Sequence, residues 1–446
     1  MSKLEIIMGA IVRRLGRFIV RIYYPKIKFE GKEHMPRTGP VLVCANHPNS
    51  LVDPILVGIT LGRPVRFMAK APLFKTPVLG SVMSGLGMIP TYRGSDDTKQ
   101  VRRNLESLDS SIQFLIDGHA VGIFPEGKSH DAVQVEMVRS GVARISTSAV
   151  EQGAAELVVL PVGLNYAHKE RFGSAVSVQI GKPIKVKDWL EHCEDDGRKA
   201  IRSLTNEVAA RLKAVVVHLE EPNWEPLLDD LVALVNTESP TKPLLLRKQI
   251  ADAMNYFVSE DRPRAEGIAE AIRLHCREVT DCGLKLESLL LQSKGPGGFL
   301  HAIGRIARGL LGLLPAVLGL LFHLIPFLIV RLIASRVTPA GRTAVSLYRL
   351  LAGMPVYLAW YVGSIFFFWW LNVLWPWGVV SVLLLPFLGV FALNYWPNLM
   401  KALPTVGRQL LLLLRGTQWR LLRDRQTSLR ERLILMEQEY LKRSED

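Results

Sequence analysis

Two stretches of this 446-residue chain contain no Asp, Glu, Lys or Arg: residues 309–330 and residues 350–400. One helical crossing of a bilayer needs about 20 apolar residues. The 22 residues of the first stretch and the 51 of the second are long enough for one crossing and two. The chain is therefore expected to be an integral or deeply embedded membrane protein. Arginines flank the first stretch on both sides, at Arg305 and Arg308 and at Arg331, Arg336 and Arg342. Basic flanks stay cytoplasmic, so both ends are expected on one side, and Pro315 with Pro326 points to a re-entrant hairpin. The second stretch divides at Trp375-Pro376-Trp377-Gly378, a turn with interfacial aromatics, into two spans. Two crossings return the basic residues from Lys401 and Arg408 onward to the side of entry, whereas three plain crossings would place them opposite.

The first 300 residues have the composition of a soluble protein. Across residues 27–222 short apolar runs alternate with helical patterns, the sign of an α/β domain. Strands are predicted at 41–45, 65–69, 88–89, 121–124, 157–165 and 176–180. Helices are predicted at 51–61, 77–86, 101–116, 138–150 and 200–219. Ahead of this domain, in residues 1–26, Arg13, Arg17 and Arg21 recur beside Ile7, Ile11, Leu15, Phe18 and Ile22. That spacing sets a basic face against an apolar one. The helix either lies in a membrane interface or packs its apolar side onto the domain. Its arginines follow the first apolar residues, which is not the order of a secretory signal.

Residues 223–298 read as a mixed-charge helical connector, interrupted by Pro240 and Pro243 and closed by the flexible Lys294-Gly295-Pro296-Gly297-Gly298. Residues 299–400 form the membrane-embedded region. Residues 401–446 carry ten Lys or Arg against six Asp or Glu and are expected to form a basic helical tail, set against anionic lipid, another subunit or solvent. The net charge of +14 suits either nucleic acid or an anionic membrane. The basic residues cluster beside apolar tracts and not with exposed aromatics or an RNA motif, which favours the membrane over nucleic acid. Cys44, Cys193, Cys276 and Cys282 share no metal-ligand spacing and read as free thiols in a reducing compartment, with no metal implied.

Residue types that support chemistry fall at the ends of the predicted strands. His47 follows the strand at 41–45, and Asp53 comes six residues later, near the start of a helix. A neutral histidine is the usual base near pH 7, and a carboxylate on its other ring nitrogen fixes the tautomer and stabilises the imidazolium. A helix-start role followed by Pro54 is the alternative for Asp53. After the strand at 121–124 comes Phe124-Pro125-Glu126-Gly127-Lys128-Ser129, in which the glycine lets backbone N–H groups approach a phosphate. Lys128 adds a charge there and Ser129 a donor. A third cluster, Gly87 to Arg93, ends in an arginine suited to a bidentate phosphate contact.

In this order, over residues 40–166, the chain resembles the plsC-type glycerolipid acyltransferases. The matching residues are Asn46, His47 and Asp53; Arg93; Phe124 to Ser129; and Val158-Val159-Leu160-Pro161-Val162. Five residues separate His47 from Asp53 where the family usually has four. That longer loop, Asp53-Pro54 and Ser129-His130-Asp131 resemble the fungal glycerol-3-phosphate and dihydroxyacetone-phosphate acyltransferases. The resemblance implies an α/β fold with a mixed sheet flanked by helices, joined to the helical membrane-embedded C-terminal region. It also implies acyl transfer from acyl-CoA or acyl carrier protein to glycerol 3-phosphate, with lysophosphatidate as the alternative acceptor and a non-catalytic lipid-binding scaffold as the rival of another class. By the same resemblance His47 is the general base and Asp53 orients it. Asn46, Arg93, Glu126, Gly127, Lys128 and Ser129 hold the acceptor. Lys70 and Arg139 are further cations, for which a solvated surface role is favoured over a place in the phosphate site. No cofactor beyond the acyl thioester is implied. The expected partners are the thioester donor, a phosphorylated glycerol acceptor and the lipid bilayer. The catalytic domain is expected on the cytoplasmic face, of a bacterial inner membrane sooner than of the endoplasmic reticulum.

Overall fold

A computed structural model describes residues 3–75, 79–92, 98–192, 197–235, 243–284, 286, 304, 309–338, 343–371, 375–414 and 416–445. Arg93 and Cys193 lie outside the described residues. The chain divides into two compact units: Met1–His218 with Pro339–Leu347, and Leu219–Thr338 with Tyr348–Asp446.

The first unit is built on one sheet. Its strands are β1 (Lys26–Glu30), β2 (Val41–Ala45), β3 (Val65–Lys70), β4 (Ile89–Thr91), β5 (Ala120–Ile123), β6 (Val158–Tyr166), β7 (Ala175–Ile180) and β8 (Ile184–Lys185). The order is β1-β7-β6-β2-β5-β3-β4, with β8 on β6. β2 pairs in parallel with β5 and β6, and β3 in parallel with β5 and β4, while β7 runs antiparallel to β6. The mixed sheet flanked by helices is thus as expected. β2 lies at its centre with every residue buried, which is why it reads as an unbroken apolar run. The parallel strands bring their carboxyl ends to a single edge, where functional side chains gather in sheets of this kind.

The helices of this unit are α1 (Lys3–Tyr23), α2 (Val52–Leu61), α3 (Leu79–Gly85), α4 (Thr98–Ile116), α5 (Gly141–Glu151), α6 (Val186–Glu191) and α7 (Gly197–Val215). α1 packs by its small residues. A Cβ on Gly9 would lie 2.5 Å from Gly85 O, Gly16 faces Ile55, and the Arg17 guanidinium donates to Gly58 O at 3.1 Å. The apolar stripe of Ile11, Leu15, Phe18 and Ile22 is left exposed on the opposite face. Packing of the apolar side onto the domain is therefore not what the structure has.

In the second unit α8 (Glu225–Val235), α9 (Pro243–Glu260) and α10 (Arg262–Asp281) form a bundle with α14 (Gly416–Glu445). Leu227, Leu228, Leu231, Ala251, Ala269 and Ile272 fill it, and His275 meets Gln426 in its fully buried interior. Ion pairs of 2.9 Å, Arg264 to Glu439 and Arg443 to Glu260, tie the C-terminal end of α14, and Arg425 pairs with Glu278 nearer its start. The connector and the tail, expected as separate pieces, are one body. Apolar residues of α14 such as Leu422, Leu429 and Met436 are buried and not presented to lipid.

Between them lie α11 (Leu313–Val337), α12 (Val345–Trp370) and α13 (Trp375–Leu414). Each contains a segment long and apolar enough to cross a membrane. The expected hairpin at Pro315 and Pro326 is instead one continuous helix. Pro315 falls in its first turn, where no intrahelical donor is needed, and a proline in an apolar helix is tolerated when its neighbours satisfy the freed carbonyl. α11 packs on α13 through glycines: Gly312 faces Tyr395 and Phe391, and a Cβ on Gly319 would lie 2.2 Å from Leu388 O. Such small residues let helix backbones approach closely. α13 continues past the expected boundary at residue 400. Residues 343–347, expected inside the membrane region, pack with the first unit.

Candidate active site

The histidine and its carboxylate come from adjoining elements. His47 follows β2 and Asp53 is the second residue of α2, and the loop between them folds back so that His47 Nδ1 lies 2.9 Å from Asp53 Oδ2. The His47 side chain is 19% exposed and that of Asp53 fully buried. Asp53 holds two further donors, Asn49 N–H to Oδ2 at 2.7 Å and the Tyr166 hydroxyl to Oδ1 at 2.6 Å. With Nδ1–H committed to the carboxylate, Nε2 is the ring nitrogen left to take a proton. Burial, followed by the charge of Asp53, raises the Tyr166 pKa well above the ordinary tyrosine value, so its hydroxyl stays protonated and remains a donor.

The His47 ring stacks on Phe124 at 3.9 Å between centroids, and Phe124 stacks in turn on Phe67 at 5.4 Å. The parallel register explains the first contact, because Cys44 pairs with Ile123 and the next residues of both strands leave the sheet side by side. Gly122 makes room for the second, since a Cβ there would lie 2.3 Å from the Phe67 ring.

The second cluster turns at Gly127, which has φ +74° and donates its N–H to Phe124 O at 3.0 Å. Only glycine adopts that conformation without strain. Glu126 is 2% exposed. Its Oε2 accepts from Glu136 N–H at 3.1 Å and pairs with His130 Nε2, while Oε1 is buried with no hydrogen-bond partner among the described residues. Buried polar atoms are almost always paired, and this oxygen is an exception among the described residues. Burial works against the His130 imidazolium, but the hydrogen bond and charge of Glu126, with help from Glu136, outweigh it and raise the His130 pKa. Asp131 pairs with Lys169.

Of the residues expected at the acceptor, the structure joins some and separates others. Arg139 packs over the Gly127 turn, its Nε 3.0 Å from where a Cβ would stand. Lys128 lies 2.9 Å from Glu136 Oε2 in an exposed ion pair, so its charge is already matched. Ser129 is half-buried beside this loop. Asn46 does not line an open site. Its amide donates to Leu164 O at 3.1 Å and accepts from Leu164 N–H at 2.7 Å, extending the β2–β6 ladder by one side chain. Lys70 ends β3 in an exposed position. Among the described residues no three His, Cys, Asp or Glu side chains converge as a metal would require. Tyr166 and the Asn49 backbone were not singled out in the sequence, and alternation along β6 offers only the face on which Tyr166 falls.

Residues 26–165 match the protein family described as Acyltransferase. Glycerol-3-phosphate O-acyltransferase 1 of Saccharomyces cerevisiae is 21% identical over 345 residues, 57% of this chain and 46% of that protein. Glycerol-3-phosphate O-acyltransferase 2 of the same yeast is 28% identical over 189 residues, 41% of this chain and 25% of that protein. A chloroplastic 1-acyl-sn-glycerol-3-phosphate acyltransferase of Arabidopsis thaliana is 30% identical over 122 residues, 26% of this chain and 33% of that protein. The crystal structure of a 1-acyl-sn-glycerophosphate acyltransferase from Thermotoga maritima matches 46% of this chain and 80% of its own, at 22% identity and a TM-score of 0.34. The chain spans about a quarter to a half of the curated relatives' lengths. The resemblance carried by four motifs holds at the level of the family: residues 26–165 are an acyltransferase domain of the plsC type.

Proposed function

We propose that the protein is a membrane-bound O-acyltransferase that moves a fatty acyl chain from acyl-CoA or acyl carrier protein to the sn-1 hydroxyl of glycerol 3-phosphate. The observation that carries this reading is the buried Asp53 carboxylate, which holds His47 by Nδ1 and leaves Nε2 as a base. In the reaction Nε2 takes the acceptor's hydroxyl proton as its oxygen bonds to the thioester carbonyl carbon. The tetrahedral intermediate then collapses, the carbon–sulfur bond breaks, and the departing thiolate takes the proton from His47. Backbone donors at the strand ends are suited to the oxyanion. The acceptor's phosphate is assigned to the Gly127 turn under Arg139, with Arg93 from the third cluster, and a glycerol hydroxyl to Glu126 Oε1. Yeast glycerol-3-phosphate O-acyltransferase 1 matches over 57% of this chain, against 26% for the plant relative and 44% for a Bacillus subtilis relative named for 1-acylglycerol 3-phosphate, which favours the first acceptor.

The membrane side of the reading rests on two features. The exposed stripe of α1 suits insertion at a lipid interface. The packing of α8 to α10 with α14 supports an even number of crossings by the apolar helices between them, with the acyltransferase domain on the cytoplasmic face of a bacterial inner membrane. The deciding experiment is purified full-length protein in lipid nanodiscs, offered acyl-CoA with glycerol 3-phosphate, dihydroxyacetone phosphate or lysophosphatidate, beside His47→Ala. Transfer to lysophosphatidate alone would change the acceptor, and full activity in His47→Ala would remove the mechanism. A wild-type protein inactive on every acceptor would favour a lipid-binding scaffold.

A further inference from the structure

The loop that carries the catalytic pair is held in a strained form by a residue almost three hundred positions away. Ser50, between His47 and Asp53, has φ +39° and is the one non-glycine residue with positive φ among those described. Such a conformation is disfavoured for any residue with a side chain and persists only where the surroundings over-determine it. Asn49 supplies that constraint. Its backbone N–H donates to Asp53 Oδ2 at 2.7 Å, its side-chain Nδ2 donates to the Tyr24 hydroxyl at 2.8 Å, and its Oδ1 accepts from Ser346 Oγ at 2.5 Å. Tyr24, Asn49, Asp53 and Ser346 are all fully buried, so water cannot replace any of these bonds at low cost. Ser346 is the second residue of α12, within residues 343–347, which pack with the acyltransferase unit.

We propose that Ser346 is a positioning residue for the catalytic base, acting through Asn49 to hold the His47–Asp53 loop in its reactive geometry. The head of an apolar helix is then a working part of the site as well as an anchor. Without the Ser346 hydroxyl, Asn49 Oδ1 is buried with no donor. The loop relaxes away from the strained Ser50 conformation, and the Asn49 N–H moves off Asp53. His47 loses the alignment that aims Nε2, while the groups assigned to the acceptor's phosphate, on a different loop, are untouched. The effect therefore falls on kcat and not on acceptor KM.

This inference rests on the acyl transfer proposed above, and the test separates the two. Full-length protein in nanodiscs is assayed with acyl-CoA and the same acceptors. Ser346→Ala is expected to lower kcat about tenfold, equivalent to about 1.4 kcal/mol, at unchanged acceptor KM. Ser346→Thr, which keeps the hydroxyl, is expected to recover most of the loss. Tyr24→Phe removes one oxygen from the other end of the chain of bonds and is expected to show the same kcat-selective loss; it serves in place of Ser346→Ala should that variant not fold. A merely structural role predicts a lower unfolding temperature with wild-type kcat per folded molecule, and that result overturns the proposal. So does a loss that Ser346→Thr does not recover, or one matched by a rise in KM. If His47→Ala is inactive while Ser346→Ala is fully active, only the positioning role falls; if His47→Ala is active, both fall.

Discussion

Replacing Asp53 by Asn keeps the shape of the side chain and removes its charge, and the structure dictates which way the new amide faces. Asn49 N–H is a backbone donor 2.7 Å from Oδ2 and cannot accept, so an NH2 group there would meet donor with donor. The partner of Oδ1 is the Tyr166 hydroxyl at 2.6 Å, which can accept as well as donate. The amide oxygen therefore keeps the Oδ2 position, still accepting from His47 Nδ1, and the imidazole keeps the tautomer in which Nε2 is the base. The quantity lost is the charge facing the imidazolium. Two unit charges about 4 Å apart at an effective dielectric of about 20 attract by about 4 kcal/mol. The neutral hydrogen bond that remains returns about 1 kcal/mol, leaving about 3 kcal/mol and a fall in kcat on the order of 10²-fold. In serine proteases the corresponding change reverses the tautomer and costs about 10⁴-fold. Steady-state acyl transfer by Asp53→Asn and Asp53→Ala, side by side, measures the difference. A loss for Asp53→Asn of about 10⁴-fold, or one equal to that of Asp53→Ala, would refute the claim that the Asn49 N–H sets the orientation.

A Cβ at position 122 would stand 2.3 Å from the Phe67 ring, two stacked rings away from His47. Gly122→Ala is accordingly expected to cost about 1–3 kcal/mol of stability by overpacking and to lower kcat; an unchanged unfolding temperature would sink the packing argument. The raised pKa of His130 makes its pairing with Glu126 most stabilising below the ordinary histidine value of 6.5 and progressively less so as pH rises through the native value. Denaturant melts should find His130→Asn further below wild type at about pH 6 than at about pH 9, and an equal or reversed difference would deny the pair its charge. An even number of crossings predicts that a cysteine placed at Glu437 in a cysteine-free background is labelled from the same side of the membrane as one at Arg171. One at Leu371 should be labelled from the opposite side, and finding Glu437 with Leu371 would remove the topology.

The residues that spoke plainly in the sequence are those whose role is set by near neighbours. β2 had to be apolar throughout because it is covered on both faces, and His47 and Asp53 are six residues apart on a single loop. β1 was missed because Lys26, Lys28 and Glu30 give it the look of a solvated segment, and its strand character comes from pairing with β7. Tyr166 reaches Asp53 across a separation of 113 residues, through the parallel pairing of β2 with β6. No local pattern encodes that meeting. Asn46 and Lys128 look like binding residues by type, yet tertiary closure turns the first onto the backbone of Leu164 and the second onto Glu136. The bundle of α8 to α10 with α14 was equally hidden, because each helix alone reads as a charged, amphipathic piece and only their complementary faces make it one body.

That bundle also sets a clock on biosynthesis. His275 and Gln426, which meet in its interior, are 151 residues apart. At about 5–20 residues per second of translation, α10 waits roughly 8–30 s for α14 to be made. Throughout that interval α10 shows the apolar surface, Val279 among it, that Leu422 later covers. A ribosome that stops within α13 releases a chain whose acyltransferase domain is fully encoded but whose bundle is still open, and exposed surface of this kind is what cellular proteases act on. Closure by α14 is therefore the step that covers this surface. Only a chain translated through every apolar helix conceals the surface that would otherwise mark it for removal.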